Sequence, residues 1–245
     1  MKKLMTIAAV ALCTAAIADS GNSITSSSIV GYKAEQLREG FTMMTTTFVN
    51  VSDADAGIDL CDLIPDGSYT ANAISVQTLN YDGTTDKYYS FTKDRSGNWF
   101  WKDIDTSAKI TSGDVSFKAG EGLWISGVDN TKLTNAGAVS TDDNVIALRE
   151  GFIASGNMTP VAIDLTAIVP NGTYTANAIS VQTLNYDGTT DKYYSFTKDR
   201  SGNWFWKDID TGSKIAEGDV VFAPGQGLWI SGVDGATLTF PGPTL

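Results

Sequence analysis

Aromatic side chains at strand spacing are the residues of this sequence best suited to binding chemistry. Trp99 and Trp101 are two residues apart, so in a β-strand they point to the same face. Exposed aromatic rings offer flat surfaces on which sugar rings or a partner's side chains stack. The predicted ligand-binding residues are Tyr88, Trp99, Trp101, Tyr193, Trp204 and Trp206. The alternative is ordinary cross-strand aromatic pairing that covers a sheet edge or a contact between domains.

Carboxylates form a second set with possible chemistry. Asp103 and Asp105 lie two residues apart, and the same pair recurs as Asp208 and Asp210. Paired carboxylates carry out glycoside hydrolysis, but such pairs need a cleft, which spacing alone does not show. The simpler interpretation is that these residues are solvated turn residues.

The sequence has few residues suited to metal binding or to nucleophilic catalysis. The sequence has no His, which excludes Ser-His or Cys-His nucleophiles and His-ligated metals. The segment Asp53–Asp59 weakly resembles a calcium loop, but Ile64 stands where an EF-hand loop has its bidentate Glu. No phosphate-binding loop is present. We therefore expect no enzymatic activity, no cofactor and no metal.

An internal duplication organises the chain that positions these residues. Tyr69–Thr106 recurs without change as Tyr174–Thr211, 38 residues shifted by 105. Similarity extends to both sides, and the first copy has six extra residues near 51–57, because the shift upstream is 111. A period of this length matches one small domain. We predict two tandem domains, 29–139 (the first copy) and 140–245 (the second copy).

Each copy has the pattern of short β-strands. Ile74–Tyr81 is rich in β-branched and aromatic residues and ends at Asp82-Gly83, a pair typical of hairpin turns. A helical turn is indicated at Gly57–Ile64, ended by Pro65. The other strands are predicted at Phe41–Val51, Lys87–Thr92, Trp99–Ile104, Gly122–Ser126 and Thr131–Val139. The predicted fold class is all-β, with two tandem homologous small β-sandwich or barrel domains.

Three further residues and the join between the copies have structural interpretations. Trp124 and Trp229, flanked by Leu and Ile, are predicted to lie in the core. Cys61 is predicted to be a small buried hydrophobic residue rather than a reactive thiol. Because the end of the second copy corresponds to the end of the first, we expect the join to be one continuous or bent strand.

The first residues have the order of an export signal. Two Lys precede an apolar stretch, and Ala16-Ile17-Ala18 then suits signal-peptidase cleavage before Asp19. We predict a signal peptide over 1–18 and a disordered Ser/Thr-rich spacer over 19–28. The expected location is secreted, extracellular or at the surface of a bacterial cell.

Short glycine-based motifs run through the mature chain, among them Ile29-Val-Gly-Tyr32, Gly40-Phe41 and Gly120-Glu-Gly-Leu-Trp124. In these motifs the chain resembles a group of exported bacterial tandem β-domain proteins with Gly-Phe/Trp and Gly-x-Gly-aromatic-Trp strand motifs. The resemblance implies an extracytoplasmic β domain, often repeated. The group has no established activity.

Charge and hydropathy argue against two further classes of function, nucleic-acid binding and membrane insertion. A formal net charge of −11 without a basic cluster argues against nucleic-acid binding. No apolar run of membrane-spanning length follows the export signal, so we expect no membrane insertion. We predict an exported, non-catalytic structural or adhesive protein that contacts a glycan or a cell-surface protein, with self-association as a further possibility. The alternative is a bivalent carbohydrate-binding module that uses the paired Trp faces; a small hydrolase ranks third.

Overall fold

The computed structural model describes residues 30–50, 57–78, 86–183 and 191–243. Within these ranges the regular elements are β-strands and two short 3₁₀ turns, which confirms the all-β prediction. The strands of the first copy are β1 (Val30–Gln36), β2 (Gly40–Thr45), β3 (Ile58–Asp59), β4 (Ile64–Asp66), β5 (Ile74–Thr78), β6 (Tyr88–Lys93), β7 (Trp99–Asp103), β8 (Ser116–Phe117), β9 (Gly122–Gly127) and β10 (Lys132–Ala138). The strands of the second copy are β11 (Asn144–Ala147), β12 (Gly151–Gly156), β13 (Ile163–Asp164), β14 (Val169–Asn171), β15 (Ile179–Thr183), β16 (Lys192–Lys198), β17 (Trp204–Asp208), β18 (Val221–Phe222), β19 (Gly227–Gly232) and β20 (Thr237–Phe240).

Some predictions lie outside the described residues. These are the signal peptide, the spacer, the turn at Asp82-Gly83 and most of the calcium-like segment. The helical turn predicted at Gly57–Ile64 is a 3₁₀ turn over Leu60–Asp62. Pro65 does not simply end it but lies within β4, an edge strand, where the missing N–H breaks no ladder.

The same three sheets form in both copies. In the first copy a five-stranded sheet has the order β2-β9-β5-β6-β7, a three-stranded sheet has the order β1-β10-β4, and β3 pairs with β8. The second copy repeats these orders as β12-β19-β15-β16-β17, β11-β20-β14 and β13-β18. All ladders between these strands are antiparallel. Each sheet draws its strands from one copy.

Alternation along β5 gives the five-stranded sheet two different faces. Ile74 and Val76 are fully buried, whereas Ser75 and Gln77 between them are only partly covered. Side chains on alternate residues point to opposite faces, so the face of Ile74 and Val76 is the inner face and that of Ser75 and Gln77 the outer face.

A hydrophobic core lies beneath each inner face. In the first copy the five-stranded sheet packs on side chains from the 3₁₀ turn and the short strands. The buried residues include Leu60, Leu63, Ile74, Val76, Trp101, Phe117, Leu123 and Ile125. Their counterparts in the second copy include Leu165, Ile168, Ile179, Val181, Trp206, Phe222, Leu228 and Ile230.

The join between the copies differs from the predicted single strand. The strand β10 ends at Ala138 and β11 begins at Asn144, and the two belong to different sheets. The reason is pairing: β10 is paired to its end with β1 of the first copy, while β11 pairs with β20 of the second. The chain therefore changes sheets over residues 139–143.

Hydrogen bonds to backbone carbonyls join the two copies. The Thr45 N–H donates to the Gly225 carbonyl at 3.0 Å, and the Ser155 hydroxyl donates to the Gly120 carbonyl at 2.6 Å. Gly122 allows this approach, because a Cβ there would lie 2.6 Å from the Ala154 carbonyl carbon. At the equivalent Gly227 a Cβ would lie 2.7 Å from the Met43 carbonyl carbon, so equivalent surfaces of the copies meet.

Candidate binding face

The paired Trp surface predicted from spacing is not formed. Trp101 is only 2% exposed, and its indole N–H donates to the Leu63 carbonyl at 3.0 Å. Trp206 is equally buried and bonds to the Ile168 carbonyl at 3.0 Å. The expectation of an exposed pair is therefore wrong for these two residues. They share a face with the first Trp of each pair, but that face is the inner one.

Trp99 lies at the solvent edge of the inner face and is 38% exposed. Its ring stacks on Phe91 with centroids 5.4 Å apart and meets the Tyr69 ring edge-on at 5.0 Å. The Lys93 ammonium lies 5.5 Å from the ring centroid. Trp204 repeats these contacts in the second copy. Three side chains thus already surround each of these rings.

Tyr88 is on the opposite, outer face and is 40% exposed. The strand register places it beside Gln77, which in turn lies beside Trp124. On the far side, the N–H of Ile104 donates to the Tyr88 carbonyl, and the Ile104 side chain is exposed. The outer face therefore carries a row of side chains with Tyr88 near one end and Trp124 near the other.

A second row on the same face is polar. Ser126, Ser75 and Ser90 are direct neighbours on β9, β5 and β6. Phe41 lies opposite Ser126 at one end and Lys102 lies opposite Ser90 at the other. The Phe41 ring packs edge-on against Trp124, with centroids 5.6 Å apart. Phe41, Ser75 and Ser126 therefore share one surface, whereas Ser90 is buried and its hydroxyl donates to the Asn72 Oδ1 at 3.2 Å.

The second copy repeats this outer face. Tyr193 is 39% exposed, and the Phe152 ring lies 5.9 Å from the Trp229 ring. The serine row recurs as Ser231, Ser180 and Ser195. We use "the two outer faces" for Phe41, Ser75, Gln77, Tyr88, Ser90, Trp124 and Ser126 together with Phe152, Ser180, Gln182, Tyr193, Ser195, Trp229 and Ser231.

The sequence predicted Trp124 and Trp229 in the core, but neither belongs to the main core of its own copy. Their rings meet each other across the contact between the copies, with centroids 6.4 Å apart. Met43 and Ala154 complete this small cluster. The two tryptophans point to the outer side of their strands, where a Leu-Trp-Ile alternation leaves the flanking Leu and Ile inside.

Sequence reasoning missed most of this face. It named Tyr88 and Tyr193, but not Phe41, Gln77 or Trp124. The available signal was the alternation of each strand, which separates outer from inner residues. Assembling those residues also required the strand order, because β2 and β9 are distant in sequence from β5 and β6.

The carboxylates serve turns. The Asp103 carboxylate accepts from the Thr106 N–H at 2.8 Å, and this bond lowers the pKa of Asp103. Asp208 accepts from the Thr211 N–H in the same way, with the same effect on its pKa. These observations support the interpretation as turn residues.

Asp59 and Cys61 have structural partners. Asp59 accepts from the Cys61 N–H at 2.8 Å and from the Ser112 hydroxyl at 2.9 Å, so it ties the 3₁₀ turn to a neighbouring loop. Cys61 is half-buried and packs against the first core. Burial, assisted by the Asp59 carboxylate, raises the pKa of its thiol and keeps it protonated.

The described ranges meet the requirements neither of a metal site nor of a membrane-spanning helix. Those residues contain no group of three or more His, Cys, Asp or Glu placed to hold a metal ion. They also contain no helix with the length and apolar character needed to cross a bilayer.

Comparison with protein-family models, with curated proteins and with solved structures finds no match to this chain.

Proposed function

We propose that the chain is an exported, non-catalytic structural or adhesive protein of two homologous β domains that binds its partner through the two outer faces. One observation carries the proposal: each five-stranded sheet presents two exposed aromatic rings at the same positions, Phe41 and Tyr88 in the first copy and Phe152 and Tyr193 in the second. Aromatic residues exposed on a sheet favour contact with another surface.

Duplication of the face strengthens such a contact. The two copies are joined by hydrogen bonds to the Gly225 and Gly120 carbonyls and by the Trp124–Trp229 contact, which limit their separation. When two linked sites bind one surface together, the overall affinity exceeds that of one site by roughly 10²–10⁴. A weak aromatic contact repeated in this way suffices for adhesion.

The test compares two double variants of the full chain. Tyr88→Ala with Tyr193→Ala removes an exposed ring from each outer face. Ile64→Ala with Val169→Ala is the matched control, because these exposed residues are equivalent in the two copies and lie on β4 and β14. Retention on cell-envelope fragments and self-association by sedimentation velocity are both measured.

We expect the tyrosine variant to lose most of its retention or self-association while the control keeps both. Equal behaviour of the two variants would contradict the proposal. Export is tested separately: the N-terminus of the secreted protein should lie at or near Asp19. A start at Met1 would overturn the proposed location.

Carbohydrate binding is the second candidate. The observation that favours it is the serine row, in which the half-buried hydroxyl groups of Ser75 and Ser126 lie beside aromatic rings on one face. Sugars are bound by stacking on rings and by hydrogen bonds to such groups. The partly exposed rings of Trp99 and Trp204 lie at a separate position on the sheet edge, where one face of each ring already stacks on Phe91 or Phe196.

A glycan-array screen of the full chain separates the two positions. If the outer faces bind the sugar, Tyr88→Ala with Tyr193→Ala abolishes the signal, whereas Trp99→Ala with Trp204→Ala leaves it. The reverse result would place the sugar at the Trp edge. No signal on any glycan with the unaltered chain would exclude this second candidate.

A further inference from the structure

Two equivalent cavities of about 340 Å³ each lie between the copies. The first, which we call the Asn144 cavity, is lined by the turn 118–122 of the first copy and by residues including Asn144 and Arg149 of the second. In the other, which we call the Arg38 cavity, the turn comes from the second copy and the facing residues from the first. Its lining includes Glu35, Arg38 and Gln226. The chain thus has two versions of one cavity with different linings.

The Asn144 cavity is rich in hydrogen-bond donors. The Asn144 side-chain Nδ2 is buried and has no hydrogen-bond partner among the described residues. The Arg149 guanidinium makes one hydrogen bond within the same part of the chain, from Nη2 to the Phe152 carbonyl at 3.2 Å. Its other N–H groups and the ammonium of Lys118 remain to serve a ligand.

Glu121 is the acidic residue of this cavity. Its carboxylate accepts from the Lys118 N–H at 3.1 Å. Burial raises the pKa of Glu121, although the Lys118 N–H and ammonium act in the opposite direction. Of the other charged or titratable groups, Arg149 lines the same cavity, and Tyr89 has its own pKa raised in part by Glu121.

We propose that the Asn144 cavity binds a small oxyanion, held by the Arg149 guanidinium and the Asn144 amide. A planar guanidinium and a side-chain amide present their N–H groups to the oxygens of a carboxylate, sulfate or phosphate. With Lys118 and Arg149 against Glu121, the lining has an excess of one positive charge when all three are ionised. The volume accommodates such an anion together with its water.

The Arg38 cavity is the internal comparison. There Ala223 and Gln226 stand in place of Lys118 and Glu121, and Glu35 lines the cavity together with Arg38. Lys33, the equivalent of Asn144, is paired with Glu35 at 2.7 Å. Glu35 therefore occupies the Lys33 ammonium, and no lysine stands at the position of Lys118, so this lining leaves fewer donors for a ligand and we expect no anion to bind here.

Binding depends on pH through Glu121. An ionised Glu121 repels the anion, and protonation removes that repulsion. Because the Glu121 pKa is raised, protonation occurs at a higher pH than for an ordinary glutamate. Affinity for sulfate, which does not titrate in this range, therefore increases as pH falls through the raised pKa.

The experiment titrates the full chain with sulfate and, separately, with malonate, using NMR chemical shifts of backbone and Asn side-chain amides. Arg149→Gln should weaken binding roughly tenfold or more, since it removes a charge-assisted contact. Asn144→Leu should weaken it severalfold. Arg38→Gln, the matched control in the other cavity, should leave it unchanged.

Glu121→Gln introduces the residue that the second copy has at this position. It should tighten sulfate binding at neutral pH and remove its pH dependence. Sulfate binding without malonate binding would identify the ligand as an inorganic anion, and the reverse would identify an organic acid. Absence of saturable shifts with both probes, or equal losses in the Arg149 and Arg38 variants, would overturn the proposal.

Discussion

The two copies fill the inner face of their three-stranded sheets with different chemistry, although the strand orders are the same. In the first copy four positions around β1 and β10 are polar. They are Lys33, Glu35, Thr47 and Asn135. The equivalent positions of the second copy are mainly apolar. They are Asn144, Ile146, Met158 and Phe240.

The polar set of the first copy is only partly satisfied. Lys33 pairs with Glu35, but the Asn135 Nδ2 and the Thr47 Oγ1 are buried without a hydrogen-bond partner among the described residues. In the second copy Phe240 is fully buried in the core. The first copy takes its aromatic ring from Phe48 instead, in the segment after β2.

This difference shows what the fold requires of its inner faces. Backbone pairing and the five-stranded sheets are the same in both copies, whereas the side chains under the three-stranded sheets vary in polarity. Both copies bury an aromatic ring under this sheet, but the ring belongs to Phe48 in the first copy and to Phe240 in the second. The architecture thus depends on filled volume and strand pairing more than on the residue at a given position.

Phe240→Asn, which places the first copy's residue in the second, should have the largest effect. It removes a buried ring and leaves an amide without a designed partner, so we expect a loss of about 3–5 kcal/mol in the free energy of unfolding. Urea denaturation of the full chain measures it. Phe152→Asn, at an exposed ring, should lose less than about 1 kcal/mol. Similar losses in both variants would mean that the buried Phe240 ring contributes no more to stability than an exposed ring.

Breaking the Lys33–Glu35 pair should have the next largest effect. Lys33→Met alone leaves a half-buried carboxylate without its partner and should destabilise the chain by about 1–3 kcal/mol. Adding Glu35→Ile, the second copy's residue, should recover most of that loss. Thermal unfolding of both variants tests this. If the double variant is as unstable as the single one, the ion pair stabilises the fold by more than the neutralisation of one buried charge by the other.

Asn135→Leu should stabilise the chain by about 1 kcal/mol, because it removes a buried amide donor that lacks a partner. Asn157 provides the matched control. Its amide donates to the Val161, Phe222 and Ala223 carbonyls and accepts from Thr159, so Asn157→Leu should destabilise. Urea midpoints of the two variants should move in opposite directions. A loss of stability in both would show that Asn135 has a bonding role.

Glu121→Gln should give the smallest effect, one that depends on pH. A carboxyl with a raised folded-state pKa contributes stability that is fully present below its ordinary pKa and is lost as pH rises through the raised value. The variant, which matches Gln226, should therefore become more stable relative to the unaltered chain as pH rises. Urea midpoints of both proteins between pH 4 and pH 8 measure the difference. A difference that does not change with pH would mean that Glu121 titrates normally.

Local patterns in the sequence were enough to predict the all-β class, the strands around Ile74, Tyr88 and Trp99, and the helical turn before Pro65. These features depend on residues close together in the chain. The candidate binding face was predicted less well. Spacing placed Trp99 and Trp101 on one face but did not show that this face is the inner one, since both faces of β7 carry aromatic residues.

The missing information was long-range. Which side of β7 is buried depends on Leu63, which accepts the Trp101 indole N–H from 38 positions away. The outer faces require β2 and β9 to join β5. The Trp124–Trp229 contact requires the docking of one copy on the other, which no pattern within a copy reports.

The reciprocal approach of Gly122 to Ala154 and of Gly227 to Met43 has a consequence for how the protein can change. The contact has the form of a symmetric dimer whose subunits have been fused into one polypeptide. In a true homodimer each substitution appears on both sides at once, so an unfavourable like-charge pair cannot be corrected on one side alone. Here the two sides are encoded separately. Glu121 and Gln226 are an example: one side of the contact between the copies carries an ionisable group and the equivalent position on the other side does not.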